Sequence, residues 1–155
     1  MNTNLPRAER TADIGVDAVA TRRVPLTRSG APTILIVDDS RYIRELLTLH
    51  LSNAGYDVAV AEDAVAAMKF LLHERPALML VDVDMPFMDG FELFEAVKRD
   101  PAYASVAVIF LTGRDDAETR AMTLGARACL HKPLFTQDLL AAVAGVANTG
   151  RFPIG

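Results

Sequence analysis

The sequence has a single cysteine (Cys129), no tryptophan and only three histidines (His50, His73, His131) among its 155 residues. One thiol excludes an internal disulfide and any multi-cysteine metal site, and the histidines are too scattered to suggest a zinc cluster. No apolar run approaches the ~20 residues that a membrane-spanning helix requires. The longest near the middle is Val106-Ala107-Val108-Ile109-Phe110-Leu111. Positive charge is also scarce: a net charge of −4 and a pI near 5.3 argue against a general nucleic-acid binder. Extensive disorder is excluded by the 51% hydrophobic content and a mean hydropathy of +0.21. At this length one domain is expected, able to bury roughly two-thirds of its unfolded surface. The composition predicts a soluble, cytoplasmic domain of α/β size.

Residues 1–31 differ from the rest. They hold five arginines (Arg7, Arg10, Arg22, Arg23, Arg28) against three acids (Glu9, Asp13, Asp17), a net of +2 that leaves −6 for the remainder. Pro6, Pro25, Gly30 and Pro32 punctuate this stretch, and only residues 13–21 suit a short helix. No apolar stretch follows Arg22-Arg23, so the pair is not an export signal. The expected organisation is a flexible basic arm (1–31), a folded domain (32–148) and a short tail (149–155), with no separate output domain.

From Pro32 onward strand and helix patterns alternate. Residues 33–37 form a β-branched run ending in two acids. Ser40 then caps a helix with Ile43, Leu46, Leu47 and His50 at helical spacing, stopped by Gly55. A second strand (56–60) leads to a helix over 62–74 with Val65, Met68 and Leu72 on one face. The third strand (77–81) ends at Asp82, and a loop precedes a helix with Phe91, Phe94 and Val97 inward. A fourth strand (106–111) runs into Thr112-Gly113 and a helix over 115–124 ended by Gly125. The fifth strand (128–131) is followed by Lys132-Pro133 and a last helix using Leu139, Leu140, Val143 and Val146. Near-continuous apolar strands imply helices on both sheet faces, hence a doubly wound five-stranded parallel sheet.

In such sheets, ligands bind outside the carboxyl ends of the strands. Asp38-Asp39, Asp82, Thr112 and Lys132 all stand at strand ends. Three carboxylates within ~4–6 Å repel by a few kcal/mol per pair at an effective dielectric near 20. One lysine offsets one charge, and a divalent cation cancels the remainder; all-oxygen ligation suits Mg²⁺ or Mn²⁺. Asp82 leads the loop between the acid pair on one side and Thr112 and Lys132 on the other, which marks it as a nucleophile able to form an acyl-phosphate. No general base is needed for a carboxylate already ionised at pH 7. The metal, the Lys132 ammonium and the Thr112 hydroxyl would share the phosphoryl oxygens.

The motifs Ile36-Val37-Asp38-Asp39-Ser40, Val81-Asp82-Val83-Asp84-Met85-Pro86-Phe87-Met88-Asp89-Gly90, Phe110-Leu111-Thr112-Gly113 and Lys132-Pro133 resemble the receiver domain of two-component response regulators. The likeness covers about residues 33–147. It implies a flavodoxin-like sheet of strand order 2-1-3-4-5 and phosphoryl transfer to Asp82 from a histidine kinase or a histidine phosphotransfer protein. It also implies Mg²⁺ held by Asp38, Asp39 and Asp82 with the Asp84 backbone carbonyl, and a cis peptide before Pro133. The implied role is a single-domain response regulator that signals to an effector protein, with no direct nucleic-acid or membrane contact. Such a protein catalyses only its own phosphorylation and slow dephosphorylation.

Three positions depart from that pattern. Cys129 stands where the family usually has an aromatic that turns inward on activation; a thiol is too small for that switch and reads as a small hydrophobe. Gly113 replaces the usual alanine, leaving the pocket roomier. Asp84 and Arg114 stand two residues beyond the nucleophile and the threonine, where an ion pair would flank the approach of water. Two other readings compete: a haloacid-dehalogenase-like phosphatase, since Asp82-Val83-Asp84 mimics its D-x-D pair, and a pseudo-receiver that only binds partners.

Overall fold

The computed structural model describes residues 31–148; apart from residue 31, the expected arm and the tail lie outside the described residues. Ten elements alternate: β1 (Thr33–Val37), α1 (Arg41–Asn53), β2 (Asp57–Ala61), α2 (Ala64–Leu71), β3 (Leu78–Asp82), α3 (Gly90–Arg99), β4 (Ala107–Thr112), α4 (Ala117–Leu124), β5 (Ala128–His131) and α5 (Thr136–Asn148). All neighbouring strands are parallel, in the order β2-β1-β3-β4-β5. This is the doubly wound, flavodoxin-like sheet that the resemblance implies.

The residues explain the layering. Central β3 and β4 are buried along their whole length, so each of their side chains meets a helix on one face or the other. On one face α2, α3 and α4 cover Leu35, Val37, Met79, Val81 and Phe110. On the other, α1 and α5 cover Ile34, Ile36, Leu80 and Ile109 through Leu47, Leu51, Leu139 and Val143. Helix starts follow local chemistry: the Ser40 and Asp63 side chains accept from Ile43 N and Ala66 N. Asp89 and Glu92 form a reciprocal capping box on α3. Gly125 closes α4 at φ 105°, a left-handed turn that glycine adopts without a Cβ penalty.

Helix α2 departs from expectation. It is shorter than 62–74, and the face turned inward is Ala64, Ala67 and Leu71. Val65, Met68 and Leu72 face solvent, exposed by 60%, 39% and 75%. Both stripes have helical spacing, so spacing alone does not say which one packs inward. The alanines win because they let the helix backbone lie close against the sheet, with Ala67 fully buried. The Asp63 cap, two residues past β2, sets the helix phase.

Candidate functional site

Register brings the strand ends to one level. Val37 pairs Val81, Asp82 pairs Leu111 and Thr112 pairs His131, so Asp38, Asp82, Thr112 and Lys132 reach the same edge of the sheet. Backbone bonds carry the ladder past the strands: Val83 N donates to Leu111 O at 2.9 Å and Lys132 N to Thr112 O at 2.7 Å. The Lys132-Pro133 peptide is cis, as the resemblance implies.

The side chains converge. Carboxylate oxygens of Asp38, Asp39 and Asp82 lie within 4.8 Å of one another. The Lys132 ammonium donates to Asp38 Oδ2 at 3.0 Å and to Asp82 Oδ1 at 3.3 Å. Asp38 is fully buried and Asp82 is 3% exposed, whereas Asp39 faces solvent. Asp38 is also held by Ser40 N at 2.8 Å, and Asp82 by Asp84 N at 3.3 Å. The Thr112 hydroxyl, buried, accepts from Arg114 N at 2.9 Å, which leaves its proton to donate.

Electrostatics shows the site incomplete on its own. Burial, and then the charge of Asp38, push the Asp82 carboxyl up to about 7; Lys132 and the Asp84 backbone only partly oppose them. Without a cation beside it, Asp82 therefore holds a proton far more tightly than an ordinary aspartate does. Burial disfavours the Lys132 ammonium, but hydrogen bonding and attraction to Asp38, with Asp82 adding to both, raise it above its ordinary value. An oxygen-only cluster with surplus negative charge fits a hard divalent cation, which would supply the missing positive charge.

The loop from Asp82 to α3 depends on Gly90. A Cβ there would stand 2.4 Å from Asp82 O, so only glycine lets the α3 start sit against the strand end. The same loop passes through Phe87 in the left-handed region (φ 70°), a strained choice for a bulky residue, with the ring fully exposed. The sequence carries no signal for either feature beyond the loop motif. Nor does it reveal that Arg44 Nη1 bonds Asp38 O at 2.8 Å.

The positions that depart from the family pattern are also placed. Arg114 Nη1 meets Asp84 Oδ1 at 3.1 Å, and its Nε also meets Asp116 Oδ1 at 3.1 Å, a second partner not foreseen. A Cβ on Gly113 would enter open space, so the missing methyl widens the lip without relieving any contact. Cys129 is half-buried beside Phe110, and burial, then Glu118, raise its thiol above the ordinary value. Aromatic bulk on this face comes instead from Phe91 and Phe94, 4.9 and 5.5 Å from the Phe110 ring. Of the histidines, His131 meets Glu118, His50 meets Thr136, and His73 is exposed.

The family model of the response regulator receiver domain matches residues 34–144. The DNA-binding dual master transcriptional regulator RpaA of Synechocystis sp. is 34% identical over 125 residues, 79% of this chain and 52% of that protein. The phosphate regulon transcriptional regulatory protein PhoB of Pseudomonas aeruginosa is 34% identical over 116 residues, 74% of this chain and 51% of that protein. The chain thus spans about half the length of these curated relatives. Among solved structures, a signal receiver domain of a histidine kinase from Syntrophus aciditrophicus superposes with a TM-score of 0.71 and 33% identity. That match covers 77% of this chain and 92% of that one. The chemotaxis response regulator CheY4 of Vibrio cholerae gives a TM-score of 0.70 at 31% identity, covering 75% and 98%.

A raised Asp82 fixes the sign of a pH effect. A carboxyl with a higher pKa folded than unfolded favours the native state at low pH and loses that contribution as pH rises from about 4 through 7. In metal-free buffer, Asp82→Asn is expected to stabilise the protein by about 1–3 kcal/mol at pH 8 and by much less at pH 4.5. Urea unfolding at both values checks this; equal effects at the two would contradict the buried, charge-crowded carboxylate.

Proposed function

Because this chain belongs to the response regulator receiver domain family, we propose that it accepts a phosphoryl group on Asp82 from a phosphohistidine and signals through protein contacts. The observation that carries this reading is the Lys132 ammonium set between the buried Asp38 and Asp82 within a three-carboxylate cluster. The donor is a histidine kinase or a histidine phosphotransfer protein, and the acceptor of the signal an effector protein.

Asp38, Asp39 and Asp82, with the Asp84 backbone carbonyl, would hold Mg²⁺, which when bound supplies charge neutralisation for the carboxylates and the phosphoryl oxygens. The remaining work belongs to the chain. An Asp82 carboxylate oxygen attacks phosphorus; the P–N bond breaks and its electron pair returns to the imidazole, which takes up a proton. Lys132 and the Thr112 hydroxyl donate to the phosphoryl oxygens as charge builds on them. Water later attacks phosphorus, releasing phosphate and regenerating Asp82. Thr112 moving toward the phosphoryl group would draw in the β4–α4 connection, and with Cys129 in β5 this happens without an aromatic rotamer switch.

Specific observations favour this over the phosphatase reading. The Asp84 carboxylate is engaged by Arg114 at the rim, not poised as an acid–base beside Asp82. The complete acid pair, Thr112 and Lys132 likewise weigh against a receiver that only binds. No helix among the described residues is long and apolar enough to cross a membrane, in keeping with a cytoplasmic role. Direct nucleic-acid contact by this domain is not part of the proposal, given its acidic balance. RpaA is by name DNA-binding, over a length about twice the matched segment.

Incubation with Mg²⁺ and a small acyl-phosphate donor is expected to add one phosphoryl group, lost with chelator and in Asp82→Asn. Intact-mass measurement checks this, and labelling that survives in Asp82→Asn, or sustained turnover of a phosphomonoester, would overturn the reading. The Arg114–Asp84 pair joins residues whose backbone amides bond Thr112 and Asp82, and in this proposal it flanks the pocket and slows the approach of water. Arg114→Ala is expected to shorten the acyl-phosphate lifetime by up to about 5-fold, a modest effect because exposed ion pairs contribute little. An unchanged lifetime removes that role.

A further inference from the structure

Resting on the phosphoacceptor reading, we infer that the Phe87 ring anchors the phosphohistidine-bearing protein over Asp82, and so helps to select the donor. The β3–α3 connection gives the ring that place. Gly90 N donates to Val83 O at 2.9 Å, so the loop leaves and returns at the strand end that carries Asp82. At its tip Met88 N donates to Pro86 O at 2.8 Å around Phe87 at φ 70°. A three-residue turn with a positive central φ is the rare, strained form of the γ-turn. Glycine takes such a backbone without penalty, whereas a side chain with a Cβ does not. The Phe87 ring is fully exposed, so no packing among the described residues offsets the strain. Strained residues of this kind cluster at ligand clamps, and here the compensating contact falls to a partner.

The recessed nucleophile says which partner. Asp82 is almost wholly buried, and an imidazole is a short side chain. In-line attack on phosphorus held by an imidazole therefore brings the surface that carries it down onto the rim, where it covers the loop tip. The rest of the rim has the same character. Among the described residues the exposed aromatic side chains are Tyr42, Phe87 and Phe135. Each follows a strand that supplies the site: Tyr42 stands three residues after Asp39, Phe87 five after Asp82 and Phe135 three after Lys132. Aromatics are the class enriched where proteins meet, because a ring buries much area with little loss of freedom. Of the three, Phe87 is the one held at a backbone cost. A small acyl-phosphate reaches Asp82 without covering any of them.

That difference provides the test. Phosphoryl transfer to the full chain is measured from two donors: the phosphorylated histidine kinase or phosphotransfer protein that labels the wild type fastest, and a small acyl-phosphate with Mg²⁺. In Phe87→Ala, which loses the ring, the ratio of the protein-donor to the small-donor rate constant is expected to fall at least about 10-fold, the loss typical of an interface anchor. Phe87→Tyr, which keeps the ring, should hold that ratio within about 2-fold of wild type. Phe87→Gly should lose as much as Phe87→Ala, while its urea unfolding midpoint stays at or above that of wild type as the turn is relieved.

A ratio within about 2-fold of wild type in Phe87→Ala overturns the inference, as it would if the ring served an effector or a second copy instead. So does a loss confined to Phe87→Gly, which would make the turn and not the ring the determinant. A lowered midpoint in Phe87→Gly also overturns it, since the ring would then pack within the chain. A wild type labelled by the small donor but by no phosphohistidine protein overturns it and leaves Asp82 as the acceptor; labelling by neither overturns the proposed function itself.

Discussion

The Lys132 ammonium, shared between the buried carboxylates of Asp38 and Asp82, is the contact on which the site depends. Charges this deeply placed are unfavourable unless they are matched and hydrogen-bonded. The fold supplies most of the match: three strand ends at one level, backbone donors from Ser40 and Asp84, and a ladder continued by Lys132 N to Thr112 O. It does not supply all of it. Burial and the Asp38 charge leave Asp82 near neutrality in its proton affinity, so the cluster stays short of positive charge until a cation or proton arrives. That shortfall connects an apolar sheet, which contributes no charge, to a site suited to gathering cations and phosphoryl groups.

Much of this was legible in the sequence because the signals were local. Runs ending in acids or in Thr112 marked the buried strands, Ser40 marked the start of α1, and the acids, Thr112 and Lys132 fell at the edge where parallel sheets bind ligands. What was not legible needed three dimensions. The raised Asp82 depends on the burial of its neighbours, which no spacing encodes. The close approach at Gly90 follows from how tightly α3 packs on the strand end. The inward face of α2 was not legible because two stripes share a period, and only the packing shows that Ala64, Ala67 and Leu71 are the ones that meet the sheet.

The departures from the family pattern cluster around α4 and the pocket rim. Helix α4 buries only Ala117 and Ala121, and its N-cap Asp116 makes no side-chain capping bond. Side chains tie this segment to the rest: Arg114 to Asp84, Glu118 to His131, and Arg120 over the Phe91 ring at 4.4 Å. An element with small buried contacts and exposed tethers belongs to the less stable part of a structure, the kind recruited for conformational response. With Cys129 in β5, aromatic mass on this side sits in α3 and β4, so a shift of α4 would be felt through Phe91 and its contact with Phe110.

The central claim is that a surplus of buried carboxylate charge makes the notch a cation site. Calorimetric titration of Mg²⁺ into the full chain at pH 6 and pH 8 tests it most directly. Because the cation must displace the proton shared into Asp82, the account predicts one site whose affinity is about 5- to 10-fold higher at pH 8, with proton release on binding at pH 6. Equal affinity and no proton release at the two pH values, or no binding at millimolar Mg²⁺, would contradict it.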